Sequence, residues 1–138
     1  MIYFVYGSLL SGEYNHHVLG DSKKLYDGYI TGFSMYSLGS FPTIIKNNKD
    51  GIIYGEIYEV NDHVIEQKLD FLEGYTGNKL DNFYDKKLVQ VTPIDNNITQ
   101  CQFAFVYYFN STESYNLSNL NKIKNGNWKL RNERWLEC

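Results

Sequence analysis

The sequence predicts an α+β fold in which one sheet curls into a partly closed barrel accompanied by a single central helix. Three observations carry this expectation. Thirteen tyrosines and an aromatic content of 17% suit many strands with half-buried, amphipathic faces. Gly28 and Gly32 interrupt a long strand-like run, where a bend or bulge lets a sheet curl. One segment alone carries a helical apolar period. At 138 residues the chain is near the usual domain size and can bury a core, so residues 1–138 read as one domain.

The elements follow in order. Residues 2–6 form an apolar first strand that stops at Tyr6-Gly7-Ser8-Leu9. Residues 13–19 supply a short helix or loop. An extended region over 24–38 places Tyr26, Ile30, Phe33, Met35, Tyr36 and Leu38 around the bends at Gly28 and Gly32. A turn at 39–42 leads to a short strand at 43–46, a polar connection, and a strong strand over 51–60. Asn61 or Asp62 caps a helix over 63–72, whose Ile65, Leu69 and Leu72 recur at i, i+4 and i+7. Gly74 stands where a left-handed residue ends helices. Strands over 83–93 and 100–109 form a hairpin about Asp95-Asn96-Asn97. The tail is polar and irregular until Asn125-Gly126-Asn127-Trp128, and Trp128 and Trp135 are expected to pin it to the body.

Composition excludes several classes. A net charge of −3 and a pI near 5.5 leave no basic face for phosphates, so no nucleic-acid partner is expected. Lys23-Lys24 and Lys86-Lys87 read as solvated edges. No apolar run approaches the roughly 20 residues that span a bilayer, and no signal-peptide pattern follows Met1. No membrane association is expected, and the expected compartment is the cytoplasm. There Cys101 and Cys138 read as free thiols, and the sequons at Asn97, Asn110 and Asn116 as inert. His16, His17 and His63 lack metal-ligand spacing, so no metal is expected. Ser8 lacks a Gly-x-Ser-x-Gly elbow, which argues against a serine hydrolase.

Two motifs carry chemistry. The Tyr6-Gly7-Ser8-Leu9 turn can present converging backbone amides, with Gly7 adopting angles closed to other residues and the Ser8 hydroxyl adding a donor, as a nest for a carboxylate. Glu73 falls at the helix C-terminus, where the dipole and the neighbouring Phe71, Leu72 and Tyr75 would raise its pKa into the range of a general base. Asp70, three residues earlier, reads as a loop cap.

The two motifs, their order and their spacing resemble the gamma-glutamylcyclotransferase-like family, which includes gamma-glutamylamine cyclotransferases and the butirosin-pathway enzyme that removes a gamma-glutamyl group. The resemblance rests on Val5-Tyr6-Gly7-Ser8-Leu9 with Gly12, Gly28-Tyr29, Gly32, Pro42, Gly55-Glu56-Ile57-Tyr58-Glu59-Val60, Leu69-Asp70 with Glu73-Gly74-Tyr75, Tyr84, Val89 and Val91, Tyr107-Tyr108 and Gly126-Asn127-Trp128. It implies a small mixed β-barrel with flanking helices. It also implies that Tyr6, Gly7, Ser8 and Leu9 bind the glutamyl part of a small-molecule gamma-glutamyl substrate, with Glu73 as acid/base. The product would be 5-oxoproline, formed without metal or cofactor by a monomer or homodimer.

The chain departs from the family pattern at two places. Leu10 and Ser11 stand where Arg often follows the turn, and Tyr84-Asp85-Lys86 replaces Tyr-x-Arg. Lys keeps the charge but loses the planar fork, which bears on which substrate is taken. The alternative reading is a non-catalytic binding or regulatory protein holding a small anionic ligand in the same pocket. A pure carboxylate binder gains nothing from a second anion there, so Glu73 favours the enzyme.

Overall fold

The structure, a computed structural model, describes residues 1–47, 51–77, 84–95, 97, 102–109 and 121–131. Phe83, Asn96, Gln100, Cys101, Asn110, Asn116, Trp135 and Cys138, on which parts of the sequence reading fell, lie outside them. The described elements are strands β1 (Ile2–Val5), β2 (Lys23–Thr31), β3 (Phe33–Ser37), β4 (Pro42–Lys46) and β5 (Ile52–Glu59), then helix α1 (His63–Leu72), then β6 (Asp85–Pro93), β7 (Gln102–Tyr108) and β8 (Asn121–Ile123). Short 3-10 turns occupy His16–Leu19 and Trp128–Leu130.

Five strands close into a barrel in the order β1-β5-β2-β6-β7. The closure is full, where the sequence suggested a partly closed sheet. It is made by a parallel pairing of β1 with β7 at Tyr3 and Phe105, all other barrel pairs being antiparallel. The barrel is therefore mixed. Such closure needs strands to approach closely where they cross. Gly28 and Gly55 sit opposite one another in the β2–β5 register. A Cβ on Gly55 would lie 2.2 Å from the Val5 carbonyl oxygen, and one on Gly28 would lie 2.8 Å from both the Ile57 Cδ1 and the Thr92 oxygen. Gly28 is thus a clearance residue in continuous register rather than a bend. The bulge falls earlier, between Lys24 and Tyr26. Gly32, with φ of 87°, does divide the long extended region into β2 and β3.

A second sheet, β4-β3-β8, is joined to the barrel where the Phe109 amide donates to the Ile44 carbonyl at 2.9 Å. β8 was not expected from the sequence. Helix α1 matches its expected bounds: the Asp62 side chain accepts from the Val64 amide at 2.8 Å as N-cap, and Ile65 and Leu69 are buried. Each of these two side chains contributes roughly 1.5–3 kcal/mol of apolar burial. Gly74, with φ of 64°, ends the helix as the left-handed residue. Trp128 is buried and holds the C-terminal turn to the body. No helix of the described residues is long and apolar enough to cross a membrane.

Candidate active site

The end of β1 and the end of α1 meet. Tyr6, Gly7, Ser8 and Leu9 line a slot of about 40 Å³ whose other walls include Phe41, Pro42, Tyr84, Tyr107 and Glu73. A wider chamber of about 470 Å³ shares Ser8, Phe41, Tyr84 and Glu73 with the slot and adds Tyr14, Asn15, Ser40 and Leu72. All five residues expected at a site from the sequence are therefore brought together.

Their local conformations follow from three anchors. The Leu10 amide donates to the Gly7 carbonyl at 3.0 Å, closing the turn, while the Ser8 and Leu9 amides donate to none of the described residues. Gly7 does not take a left-handed conformation, so the expected nest geometry is corrected. Its glycine is required because a Cβ would lie 2.6 Å from Pro42 Cγ. Pro42 in turn accepts the Tyr84 phenol through its carbonyl at 3.2 Å, and the Tyr84 amide donates to the Glu73 carbonyl at 3.2 Å. Tyr84 thus braces the helix end against the strand that packs on the turn. The Ser8 hydroxyl accepts from Asn15 Nδ2 at 3.1 Å, leaving its own proton available. His16 Nδ1 lies 2.9 Å from the Leu9 carbonyl oxygen, an arrangement that gives Ser8 no base.

The Glu73 carboxyl makes no hydrogen bond to a described residue, and burial raises its pKa to about 7. The sequence reading credited the flanking Phe71 as well as Leu72 and Tyr75, but Phe71 points to solvent at 89% exposure. The enclosure of the slot supplies the effect instead. The Tyr6 phenol, donating to the Tyr107 carbonyl at 2.7 Å, is held neutral by burial, with Tyr84 and the charge of Glu73 adding to this.

Asp70 is not a loop cap through its side chain. Its Oδ1 accepts from the Tyr107 phenol at 2.5 Å and from Lys86 Nζ at 3.0 Å. Lys86 corrects a second expectation: its side chain is only 10% exposed and sits 5.0 to 5.6 Å from the ring centres of Tyr3, Tyr75, Phe105 and Tyr107. Burial opposes its charge, but hydrogen bonds with Tyr3 and Asp70 outweigh that and raise its pKa. Neighbouring strand residues face opposite ways, so Lys86 and Lys87 have different surroundings.

Glu56 is the structural residue whose role the sequence reading missed. It is 3% exposed. Its carboxylate accepts from the Ser11 amide at 2.9 Å, the Tyr58 phenol at 2.8 Å and Lys129 Nζ at 2.9 Å. Burial opposes ionisation, and these donors outweigh it to lower the pKa. Glu56 thereby ties the chain just beyond the Tyr6–Leu9 turn to the C-terminal turn, which Arg131 also holds through Glu13 at 3.0 Å. Strand alternation puts Tyr54, Glu56 and Tyr58 on one face of β5, but only tertiary structure shows what covers it.

Residues 3–130 match the family model described as gamma-glutamyl cyclotransferase, AIG2-like. The chain belongs to this family. It is similar to YkqA of Bacillus subtilis, with 30% identity over 127 residues, covering 91% of this chain and 40% of that protein. The crystal structure of YkqA superposes with a TM-score of 0.70 at 30% identity over 99% of this chain and 42% of that one. The gamma-glutamylcyclotransferase family protein YtfP of Escherichia coli K12 is 29% identical over 94% of this chain and 97% of its own length. An AIG2-like protein of Mus musculus superposes with a TM-score of 0.68 at 26% identity, covering 88% of this chain and 84% of that one. The chain thus spans about two-fifths of YkqA and nearly all of YtfP, and these gamma-glutamylcyclotransferase relatives share its barrel.

Proposed function

We propose that this protein is a cyclotransferase that converts a gamma-glutamyl amide or amine to 5-oxoproline and releases the free amine. The observation that carries the reading is the Glu73 carboxyl, without a hydrogen bond among the described residues and with a pKa raised by burial to about 7, lining the same slot as the Ser8 and Leu9 amides, which donate to none of the described residues. Family membership supports the reaction class.

The chemistry needs three things of the chain. The substrate's α-carboxylate is held by the Ser8 and Leu9 amides and the Ser8 hydroxyl. Its α-ammonium gives a proton to Glu73, which at neutral pH is poised to accept one. The resulting amine attacks the side-chain carbonyl, forming the lactam C–N bond. Amides of the turn stabilise the oxygen on which charge develops. As the tetrahedral carbon collapses, the bond to the departing nitrogen breaks and Glu73 returns its proton to that nitrogen. The lactam nitrogen also loses a second proton, which the freed amine takes up. Because attack is intramolecular, orientation in the slot draws on effective molarities of about 10⁵–10⁸ M. Orientation, hydrogen-bond donors and proton transfer supply the assistance in this scheme, so the reaction calls for no metal or cofactor.

The test is 5-oxoproline release from a panel containing ε-(γ-glutamyl)-lysine, simple γ-glutamyl amines, γ-glutamyl dipeptides and glutathione. Release from at least one member, lost in Glu73→Gln, is the expected result. Silence across the panel from demonstrably folded protein would instead favour a binding protein for a small anionic ligand.

A further inference from the structure

We infer that Asn15 is a positioning residue of the turn: its side chain fixes the Ser8 hydroxyl as a hydrogen-bond donor, which gives the site its preference for an α-carboxylate. The inference rests on the cyclotransferase reading and adds to it a residue that acts on the substrate through Ser8.

Asn15 grips Ser8 twice. Its backbone amide donates to the Ser8 carbonyl at 2.8 Å, and its Nδ2 donates to the Ser8 hydroxyl oxygen at 3.1 Å. In a planar trans peptide the N–H and C=O point opposite ways, so the first contact also turns the Leu9 amide away from the Asn15 backbone. The second contact sets the polarity of the hydroxyl. A side-chain amide nitrogen only donates, so the Ser8 oxygen spends a lone pair on Asn15 and its proton is directed elsewhere. Ser8 lines the slot. A carboxylate there, which only accepts, suits that proton better than a neutral carboxamide, whose nitrogen donates.

The segment that carries Asn15 is itself anchored. The Ser11 amide donates to Glu56 at 2.9 Å, the Glu13 amide donates to the Leu10 carbonyl at 2.9 Å, and the Glu13 carboxylate pairs with Arg131 at 3.0 Å. On the other side the Asn15 carbonyl accepts from the Val18 amide at 3.0 Å. A side chain on so fixed a backbone holds the Ser8 proton in one direction, whereas an unheld hydroxyl rotates to suit any acceptor.

The experiment measures kcat/KM for amine release from the γ-glutamyl compound of the panel that the parent turns over fastest, and from the same compound with its α-carboxylate replaced by carboxamide. The ratio of the two, compared between proteins, cancels their intrinsic reactivities. Asn15→Asp reverses the contact, since a carboxylate accepts the Ser8 proton, and should lower the carboxylate preference by about tenfold or more. Asn15→Ala frees the rotor and should lower it about two- to tenfold. In a Ser8→Ala background Asn15→Ala should change the ratio less than about twofold, a non-additivity that a merely structural role would not produce. An unchanged ratio in folded Asn15→Asp would mean that Ser8 already donates to Asn15, and it overturns the inference while leaving the cyclotransferase standing. Equal effects of Asn15→Ala with and without the Ser8 hydroxyl overturn it too, and this cycle decides the matter if Asn15→Asp does not fold. No release by the parent from any compound overturns both readings.

Discussion

Glu73 makes no hydrogen bond to a described residue and titrates near 7, whereas Glu56 accepts from three donors and is held below the usual range. Their pH dependences therefore have opposite signs. The unfolded chain releases the Glu73 proton near 4.5 and the folded protein near 7. Stability is lost as pH rises through this interval and stays reduced above it. Glu73→Gln should then stabilise the fold by up to about 3 kcal/mol at pH 8 and by much less at pH 5, read by urea unfolding at the two values. Equal gains would exclude the effect. Glu56 contributes stability above its unfolded pKa that is lost as pH falls through its lower folded value. Glu56→Gln should cost about 1–3 kcal/mol at pH 7, with the deficit shrinking towards pH 3.5. At this scale Glu73 was legible, because a carboxylate between a helical apolar period and a glycine can only end the helix. Lys86 was not legible. Its burial depends on Tyr3, Tyr75, Phe105 and Tyr107 converging from separate segments, and no local pattern records that.

Helix α1 was legible to its bounds because cap, period and terminating glycine agree. What the period cannot show is how the helix end is fixed. Asp70 links it to β6 through Lys86 and to β7 through Tyr107, three residues before Glu73. Asp70→Asn leaves an enclosed ammonium without its counter-ion and should cost about 3 kcal/mol. Lys86→Met keeps the aromatic box filled and should cost less than about 1.5 kcal/mol. Urea denaturation of both variants measures the order, and the reverse order would show that the pair is not what secures the helix end. β8 escaped the sequence reading for a different reason. Asn121 and Lys122 are exposed and Ile123 is only partly buried, so its three residues offer no alternation, and pairing with β3 defines the strand.

The barrel as a whole depends on contacts far apart in sequence. Glycines in strand-like runs correctly indicated a curling sheet, but the β1–β7 pairing that closes it joins residues about a hundred positions apart and leaves no periodic trace. Gly55→Ala tests the close approach of β5 to β1 on which the barrel depends. Its added Cβ meets the Val5 carbonyl oxygen at 2.2 Å, and backbone cannot yield as a flexible side chain would, so a cost of about 3 kcal/mol is expected. Thermal unfolding measures it, and a variant as stable as the parent would mean that β1 and β5 can separate there. The same crossing sets the Tyr6–Leu9 turn beside the end of α1, so architecture and proposed chemistry meet at Glu73. The most direct measurement is the pH profile of kcat/KM for 5-oxoproline release, in the parent and in Glu73→Gln. The account predicts a tenfold rise per pH unit below about 7, a plateau above it, and a loss of about 10²–10⁴-fold in the variant. Undiminished release by Glu73→Gln would contradict it.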